Sequence, residues 1–237
     1  MAKIIGIIVV FASVLGGFIL SGGKFMALVH PFEVMIIGGA ALGAFLQANP
    51  GSMFMQVFKK SLSMFSSRFT HTYYLEVLKL LYEILNKSRR EGMMAIEADV
   101  EDPAASPIFS KYPGIIKDQR MIAFICDYLR IMSSGNMAPH ELEGLFDMEI
   151  TSLKEELEHP AHAVAKILAS YGFFGPLAGS LEHDAKEELN VYEAIKAGLV
   201  ASASGMPPSL AVEFSRKVLF PAHRPSFAEL EQAMRGS

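Results

Sequence analysis

The chain begins with an uncharged, largely apolar run that is long enough to cross a lipid bilayer. No charged residue lies between Lys3 and Lys24, and residues 4–20 are apolar or small throughout. At about 1.5 Å per residue, a helix over this run spans a hydrocarbon core of roughly 30 Å. A cleaved signal peptide is the alternative, but a second apolar segment follows at once. The run therefore predicts a first membrane helix over about residues 4–22.

The second apolar segment predicts a partner helix over about residues 33–49. It carries Glu33 at its edge and is uncharged from Val34 to Leu46. Its small residues are spaced four apart, as in Gly39 and Gly43, a pattern that lets helix backbones approach each other in lipid. Residues 1–50 are therefore predicted to form a membrane hairpin.

The distribution of basic residues predicts which side of the membrane the rest of the chain occupies. The turn over residues 21–31 contains one basic residue, Lys24, whereas residues 51–160 contain twelve. Basic loops near membrane spans stay cytoplasmic. Residues 51–162 are therefore predicted to form a large cytoplasmic loop, with the N-terminus on the same side.

Helical periodicity dominates this loop and predicts an all-α protein. Apolar residues recur every third or fourth position over 75–85 and 121–132, and these runs end at Gly92 and Gly135. No alternating strand pattern of useful length appears, so the fold class is integral membrane helices with a large cytoplasmic helical domain.

The next helix signals are acidic and are punctuated by prolines. Pro139 opens a helix predicted over 141–158 that ends before Pro160. A third apolar stretch follows over 163–181. The tail 182–237 contains six Lys or Arg residues and a capping box, Ser226 with Glu229, and is predicted to be cytoplasmic and helical.

Composition excludes several classes of protein. Hydrophobic residues make up 51% of the chain, which excludes a disordered protein, and the net charge of −4 excludes a polycation built to bind nucleic acid. Cys126 lies in an apolar helical pattern and is interpreted as a core residue. Scattered histidines complete no metal site, and no catalytic constellation appears, so no enzyme, metal or cofactor is predicted.

The charge within the loop is uneven, with +3 over residues 51–97 and −7 over 98–160. This distribution fits either a surface that binds a charged partner or ordinary helix faces exposed to solvent.

Several long motifs, in order, resemble one family. They include SRREGMMAIEADVEDP from Ser88, PIFSKYPGII, FICDYLR, MPPSLAVEFSRKVLF and RPSFAELE, together with LGGFILSGG and PFEVMIIGGAALGAFL in the two apolar segments. This set is similar to the A subunits of flagellar motor stators (MotA), the motility branch of the MotA/TolQ/ExbB proton-channel superfamily. The resemblance covers nearly the whole chain. A TolQ- or ExbB-like energiser of the cell envelope is the alternative, which the tail motifs disfavour.

The resemblance implies a multi-pass protein of the bacterial inner membrane. Five copies would surround two copies of a B subunit (MotB), and ion flow through the unit, with protons favoured over sodium, would be coupled to torque on the rotor. By the same resemblance, Arg89 and Glu97 would face the rotor switch protein FliG, and Pro176 within YGFFGPLAG would be the conformational proline of the fourth membrane helix. The alternative to a rotor contact is a purely structural role, in which Arg89 and Glu97 are charges that interact with the dipoles at helix ends.

The predicted hairpin lacks the titratable group that proton conduction needs at membrane depth. Neither residues 4–20 nor 34–46 contain an acid, and Glu33 lies at the edge of its segment, where an interfacial or packing role is favoured. The missing acid would come from a partner. The resemblance places it on an aspartate of the B subunit.

The chain also departs from the family pattern. The string that leads into the family's third span joins directly to the end of the fourth, at Ile167 and Leu168, so about 45 residues, one and a half spans and their turn, are absent. The stretch 163–181 would then be a remnant that inserts as a strained span, lies in the interface or packs against the hairpin. This departure leaves a second functional hypothesis, a non-conducting structural remnant that still binds its partners.

Overall fold

The computed structural model describes residues 2–23, 31–48, 51, 55, 57, 59, 68–135, 137–168 and 175–235. They belong to two compact units. The first comprises Met1–Ser67 with Leu157–Asp184, and the second comprises Arg68–Glu156 with Ala185–Ser237. Within the described ranges the elements are helices and short 3₁₀ turns without any strand, which confirms the all-α class.

Two helices of the first unit follow the two predicted apolar segments. They are α1 (Ala2–Leu20) and α2 (Pro31–Ala48). Many of their apolar side chains are exposed, including Ile8, Phe11 and Ile36. By combined length and hydropathy, none of the helices in the described ranges qualifies as a membrane crossing. The predicted spans 4–22 and 33–49 therefore stay a prediction.

The second unit begins with the long amphipathic helix α3 (His71–Glu91). Thr70 caps it, since its hydroxyl accepts a hydrogen bond from the backbone N–H of Tyr73 at 3.2 Å. Its buried side follows the predicted periodicity and includes Leu78, Leu81 and Leu85. The helix ends at Gly92, whose φ of 92° favours glycine, and this confirms the predicted end.

Short elements connect α3 to the next long helix. They are a 3₁₀ turn (Met93–Ile96), α4 (Glu97–Glu101), a second 3₁₀ turn (Phe109–Lys111) and α5 (Pro113–Ile116). Helix α6 (Gln119–Ser134) follows, capped at its start by Asp118 and at its end by Gly135, which has φ 68°. The predicted end at Gly135 is confirmed.

Helix α7 (Pro139–Leu168) corrects one prediction. The acidic helix does not end before Pro160 but continues through it. A proline inside a helix removes one backbone hydrogen bond and crowds the preceding turn. Here Leu157, Pro160 and Ala161 are all buried on one side of the helix, so packing of that side offsets the lost bond.

Helix α8 (Gly175–Ala203) begins within the predicted stretch 163–181, and α7 ends within it. Residues 169–174, between the two helices, lie outside the described residues. The interpretation of 163–181 as a remnant apolar segment therefore stays a prediction.

Helices α9 (Pro208–Val218) and α10 (Phe227–Arg235) form the tail. The capping box at the start of α10 is confirmed: Glu229 accepts from the Ser226 N–H at 2.7 Å, and Ser226 accepts from the Glu229 N–H at 3.2 Å. Asn190 of α8 holds the connection between them, accepting from the Phe220 N–H at 2.8 Å and donating to the Val218 carbonyl at 3.0 Å.

The long helices of the second unit share one axis direction. Helix α6 runs parallel to α3, because Asp118 before α6 pairs with Arg68 before α3 at 3.1 Å, and Arg130 near the end of α6 bonds α4, which follows α3. Helix α7 runs antiparallel to α6, since Arg120 pairs with Glu156 and Tyr128 donates to Glu149. A stack of Tyr128 on Phe146, with ring centroids 3.5 Å apart, fills the space between them.

Helix α9 turns back along α3. The Arg89 guanidinium at the end of α3 donates to the carbonyl of Gly205, just before α9. The imidazole of His223, just after α9, lies 6.3 Å from the Tyr74 ring near the start of α3. The two helices are therefore antiparallel, and the 11 residues of α9 pack along part of α3, which has 21 residues.

Candidate functional site

Arg89 is an exposed cation at the C-terminal end of α3. It lies in the last turn with Arg90, where a positive charge interacts favourably with the helix dipole. Its Nη1 donates to the Gly205 carbonyl at 3.3 Å, across 116 residues of sequence. This contact orients Arg89 while leaving it exposed to solvent.

Glu97 is an exposed anion at the first position of α4. The 3₁₀ turn Met93–Ile96 separates it from the end of α3, and Ile96 is buried beneath that turn. Met94 in the same turn is 71% exposed. The chain thus presents an arginine, an apolar side chain and a carboxylate in succession at one end of the second unit.

A buried ionic network fixes this end. The carboxylate of Asp99 is only 3% exposed, accepts from Lys87 Nζ at 2.7 Å and accepts from the Ser106 hydroxyl at 2.6 Å. The Ser106 oxygen in turn accepts from the Phe109 N–H at 3.2 Å. Since Lys87 belongs to α3 and Asp99 to α4, the network holds the segment with Glu97 against the helix that carries Arg89.

Arg130 of α6 fixes the far end of α4. It donates to Glu101 at 3.1 Å, to Asp127 at 2.7 Å and to the Val100 carbonyl at 3.0 Å. The hydrogen bond with Glu101 is the largest cause that raises the pKa of the Arg130 guanidinium above its usual range. Helix α4 is therefore held from two sides although it is only five residues long.

The three predicted site residues fall into both units. Arg89 and Glu97 lie in the second unit, on adjoining elements at the end of α3. Pro176 lies in the first unit as the second residue of α8, in the first turn, where the missing N–H of proline costs least. The conformational role of Pro176 stays a prediction.

Sequence reasoning missed the residues that hold the surface in place. Asp99 lies in sequence among other acids, Glu97, Glu101 and Asp102, and no local pattern distinguishes a buried carboxylate from an exposed one. Gly205 is far from Arg89 in sequence, although its φ of 84° and the following Pro207 and Pro208 are signals of a fixed turn.

The sequence singled out histidines as possible metal ligands and Cys126 as a core residue, and the structure bears on both. Within them, no group of three or more His, Cys, Asp and Glu side chains is arranged to hold a metal ion. Cys126 is buried, as predicted, and burial raises the pKa of its thiol to about 11, so the reactive thiolate is scarce at neutral pH.

Comparison with known proteins identifies relatives along the whole chain. A family model described as motility protein A N-terminal matches residues 4–92. Motility protein A of Salmonella typhimurium is 36% identical over 99% of this chain and 95% of its own length. Motility protein A of Escherichia coli is 34% identical with the same coverage.

A solved structure has a similar fold. It is described as the structure of C. jejuni MotAB, and it matches with a TM-score of 0.72 over 95% of this chain and 98% of that chain, at 14% sequence identity. The likeness therefore extends from the sequence to the helical architecture.

The alignments also bear on the predicted gap. The match to the Salmonella protein extends over 281 positions, whereas this chain has 237 residues, so the relative carries residues that this chain lacks. With identity above one third across nearly the full length of both proteins, the chain belongs to the motility protein A family.

Proposed function

We propose that the protein is the A subunit of a flagellar motor stator, which with a B subunit forms an ion channel and couples ion flow to torque on the rotor. The observation that carries the proposal is the full-length similarity to motility protein A from two bacteria. The fold likeness to a MotAB structure supports pairing with a B subunit of the MotB type. Protons are the proposed ion.

The first unit is the proposed membrane anchor in the bacterial inner membrane. Eight large apolar side chains of α1 and six of α2 are exposed, and an apolar surface of this extent is unfavourable in water but favourable against lipid. The Lys and Arg distribution supports a cytoplasmic location for the second unit. Pro176 would act as the conformational proline of the fourth helix, and five copies would surround two B subunits.

The chain's own residues provide the wall of the channel rather than its proton carrier. No acid lies between Lys3 and Lys24, and the only acid of α2 is Glu33 in its first turn. A carboxylate at membrane depth would therefore belong to the B subunit. In this scheme the A subunit excludes water, surrounds that carboxylate and changes conformation when the carboxylate is protonated.

The Arg89–Glu97 end of the second unit is the proposed contact with the rotor protein FliG. Its charges are exposed, held on fixed helices and flanked by the exposed side chain of Met94. Paired charges of opposite sign favour fast, repeatedly broken contacts, because electrostatic complementarity acts mainly on association rates and specificity. A motor that steps past successive rotor subunits needs contacts of this kind.

The shorter length relative to the aligned homologues favours a second candidate, a non-conducting subunit that still binds its partners. About 45 aligned positions of the Salmonella relative have no counterpart in this chain. The resemblance assigns them to a third span and half of the fourth, missing at the junction of Ile167 and Leu168. Such a protein would assemble with its partners and block them.

Complementation of a strain that does not swim because it lacks its own A subunit tests both candidates. Restored swimming, with a C-terminal tag protected from reagents added outside the inner membrane, supports the conducting stator. Absence of swimming with stable membrane-bound protein, together with slowed motors when the chain is expressed in a wild-type strain, supports the non-conducting subunit. Inserting the relative's segment between Ile167 and Leu168 should then restore swimming. Protein that is abundant but absent from membranes would overturn both.

A further inference from the structure

An apolar stripe runs along the exposed face of α9. Leu210, Phe214 and Val218 recur every four residues, and their exposed fractions are 43%, 45% and 38%. The other side of α9 is buried, through residues such as Ala211 and Val212. Three large apolar side chains in line on a solvent-facing helix are typical of a protein interaction site.

The stripe lies along the side of the second unit rather than at its Arg89–Glu97 end. Because α9 is antiparallel to α3, only its beginning lies near Arg89, and Val218 lies toward the start of α3. Eight residues of helix separate Leu210 from Val218, or about 12 Å along the axis. A partner that covers the stripe must therefore lie alongside the helices.

A second exposed face, on α7, has complementary properties. Met148 is 66% exposed, and Gly144 and Ser152, one turn before and after it, are exposed as well. Of the six carboxylates in residues 139–156, three pair with side chains of α6 or α8. Glu141 and Glu155, two turns before and after Met148, lie on its side of the helix and are exposed. Beside the stripe on α9, Glu213 pairs with Arg216 at 2.6 Å and with Lys217 at 4.0 Å, and the Lys217 side chain is still 65% exposed. An apolar stripe with a basic edge thus exists on the same unit as a flat, acidic face centred on methionine.

Helix α8 shows that the two faces lie at similar positions along the common direction of the helix axes. Lys196 of α8 pairs with Asp147 of α7 at 2.6 Å, which fixes the height of the neighbouring Met148. Gly198 of α8 closely approaches Ser215 of α9, which fixes the height of the neighbouring Phe214. Two residues of helix separate these contacts, or about 3 Å. A copy rotated about an axis parallel to the helices can therefore bring Phe214 beside Met148.

We propose that the apolar stripe of α9 in one copy of the chain packs on the acidic face of α7 in a second copy. The contact is heterologous, since it joins two different surfaces, and it repeats from copy to copy around a closed assembly. It rests on the proposed function in one respect: a common membrane holds neighbouring copies side by side in the same orientation.

Cysteine crosslinking in native membranes tests the contact. Phe214→Cys and Met148→Cys are introduced singly and together in the full-length chain, and brief oxidation is followed by non-reducing electrophoresis. The double variant should give a ladder of dimers, trimers and higher species, and each single variant should give none. Cys126 adds little background because its thiol is buried. Phe214→Cys with Met94→Cys is the matched control, since Met94 is as exposed as Met148 but lies at the end of the unit.

Electrostatics provides a second test. Lys217→Glu, added to the crosslinking pair, should lower the rate of ladder formation several-fold at low salt. The difference should shrink at high salt, because exposed charges are then screened. An unchanged rate at low salt would remove the proposed charge complementarity.

Several outcomes would overturn the proposal. Dimers alone from the single Phe214→Cys variant would show a symmetric contact through α9. An equal ladder from the control pair would show random collision. Absence of a ladder would refute the contact, and labelling with maleimide would show why. If both thiols are labelled, the two faces are simply free. If the thiol at position 214 is protected, another protein covers the stripe. Resistance to proteolysis, compared with the unsubstituted chain, verifies that each variant is folded.

The crosslinking result is independent of motility. A ladder in cells that do not swim would support the contact between copies and count against the stator function. Swimming without a ladder would support the stator function and refute the contact. The two proposals can therefore fail separately.

Discussion

Two ion pairs in the tail have the same chemistry but different surroundings, and the difference predicts their contributions to stability. Glu213 and Arg216 form two hydrogen bonds of 2.6 and 2.7 Å, with the Arg216 side chain only 8% exposed. Glu231 and Arg235 pair at 2.7 Å, with Arg235 78% exposed. We expect Glu213→Gln to lower the free energy of unfolding by about 2 kcal/mol. Glu231→Gln, the matched control, should change it little.

The pH dependence of this pair has a definite sign. Hydrogen bonding from Arg216 lowers the pKa of the Glu213 carboxyl below its usual range. The stabilisation is therefore complete above the ordinary carboxyl pKa of about 4.3 and is lost as pH falls through the lowered value. The difference between the unsubstituted chain and Glu213→Gln, measured by thermal unfolding in detergent, should shrink below about pH 4. A difference that grows on acidification would contradict the assignment.

Gly198 and Ser215 provide a second prediction at the residue scale. A Cβ on Gly198 would collide with the Ser215 hydroxyl, which is buried and makes no hydrogen bond. Gly198→Ala should therefore destabilise the fold by about 1–3 kcal/mol. Ser215→Ala alone should be close to neutral, and the double variant should recover most of the loss. Thermal unfolding of the four proteins measures the coupling, and strict additivity would show that the collision is relieved elsewhere.

Residues of this kind mark the limit of prediction from sequence. Cys126 was correctly predicted to be buried because its neighbours repeat with helical period. The burial of Asp99 and Ser215 could not be predicted from sequence. Asp99 is buried against Lys87 and Ser106, and Ser215 against Gly198, and these residues come together only in the folded chain.

Among the helices and turns, two glycines isolate the effect of backbone conformation. Gly92 ends α3 with φ 92°, whereas Gly144 lies within α7, and a Cβ has open space at both positions. Gly92→Ala should destabilise by about 1–2 kcal/mol, because an L-residue disfavours positive φ. Gly144→Ala should stabilise by about 0.5–1 kcal/mol, because alanine is the better helix former. Thermal unfolding measures both, and equal effects would exclude backbone conformation as the cause.

The ends of the helices could be predicted where the signal is local. Gly92, Gly135 and the Ser226–Glu229 capping box each end or begin a helix where the sequence predicts. The end at Pro160 was wrong, because burial of Leu157 and Ala161 outweighs one lost hydrogen bond. The exposed stripe on α9 could not be predicted either, since its apolar residues have the same pattern as a core-facing helix.

At the scale of the whole molecule, the proposed rotor contact predicts a separation between function and abundance. Arg89→Glu should impair swimming while leaving the amount of membrane-bound protein unchanged, because Arg89 is exposed and makes one hydrogen bond to a carbonyl. Arg235→Glu, an exposed reversal on α10, is the matched control and should swim normally. Normal swimming of the Arg89→Glu variant at normal abundance would remove the rotor assignment.

The division of the chain into units was not readable from the sequence. Motifs and periodicity predicted consecutive segments, whereas each unit combines two separate stretches of chain, and both α7 and α8 contain residues of each. Local patterns report which side of a helix is buried but not which distant segment buries it. The family assignment succeeded because it depends on long ordered motifs rather than on packing.

The return of α9 along α3 has a consequence for biosynthesis. The apolar side of α3 is complete once residue 91 has been synthesised, but its cover in α9 begins at residue 208. At roughly 5–20 residues per second, the ribosome needs about 6–25 seconds to supply it. During that interval the side of α3 that α9 will contact stays exposed on the nascent chain. A chain terminated before residue 208 would keep that side exposed, so even a late stop codon should produce a substrate for chaperones and proteases rather than a shorter folded protein.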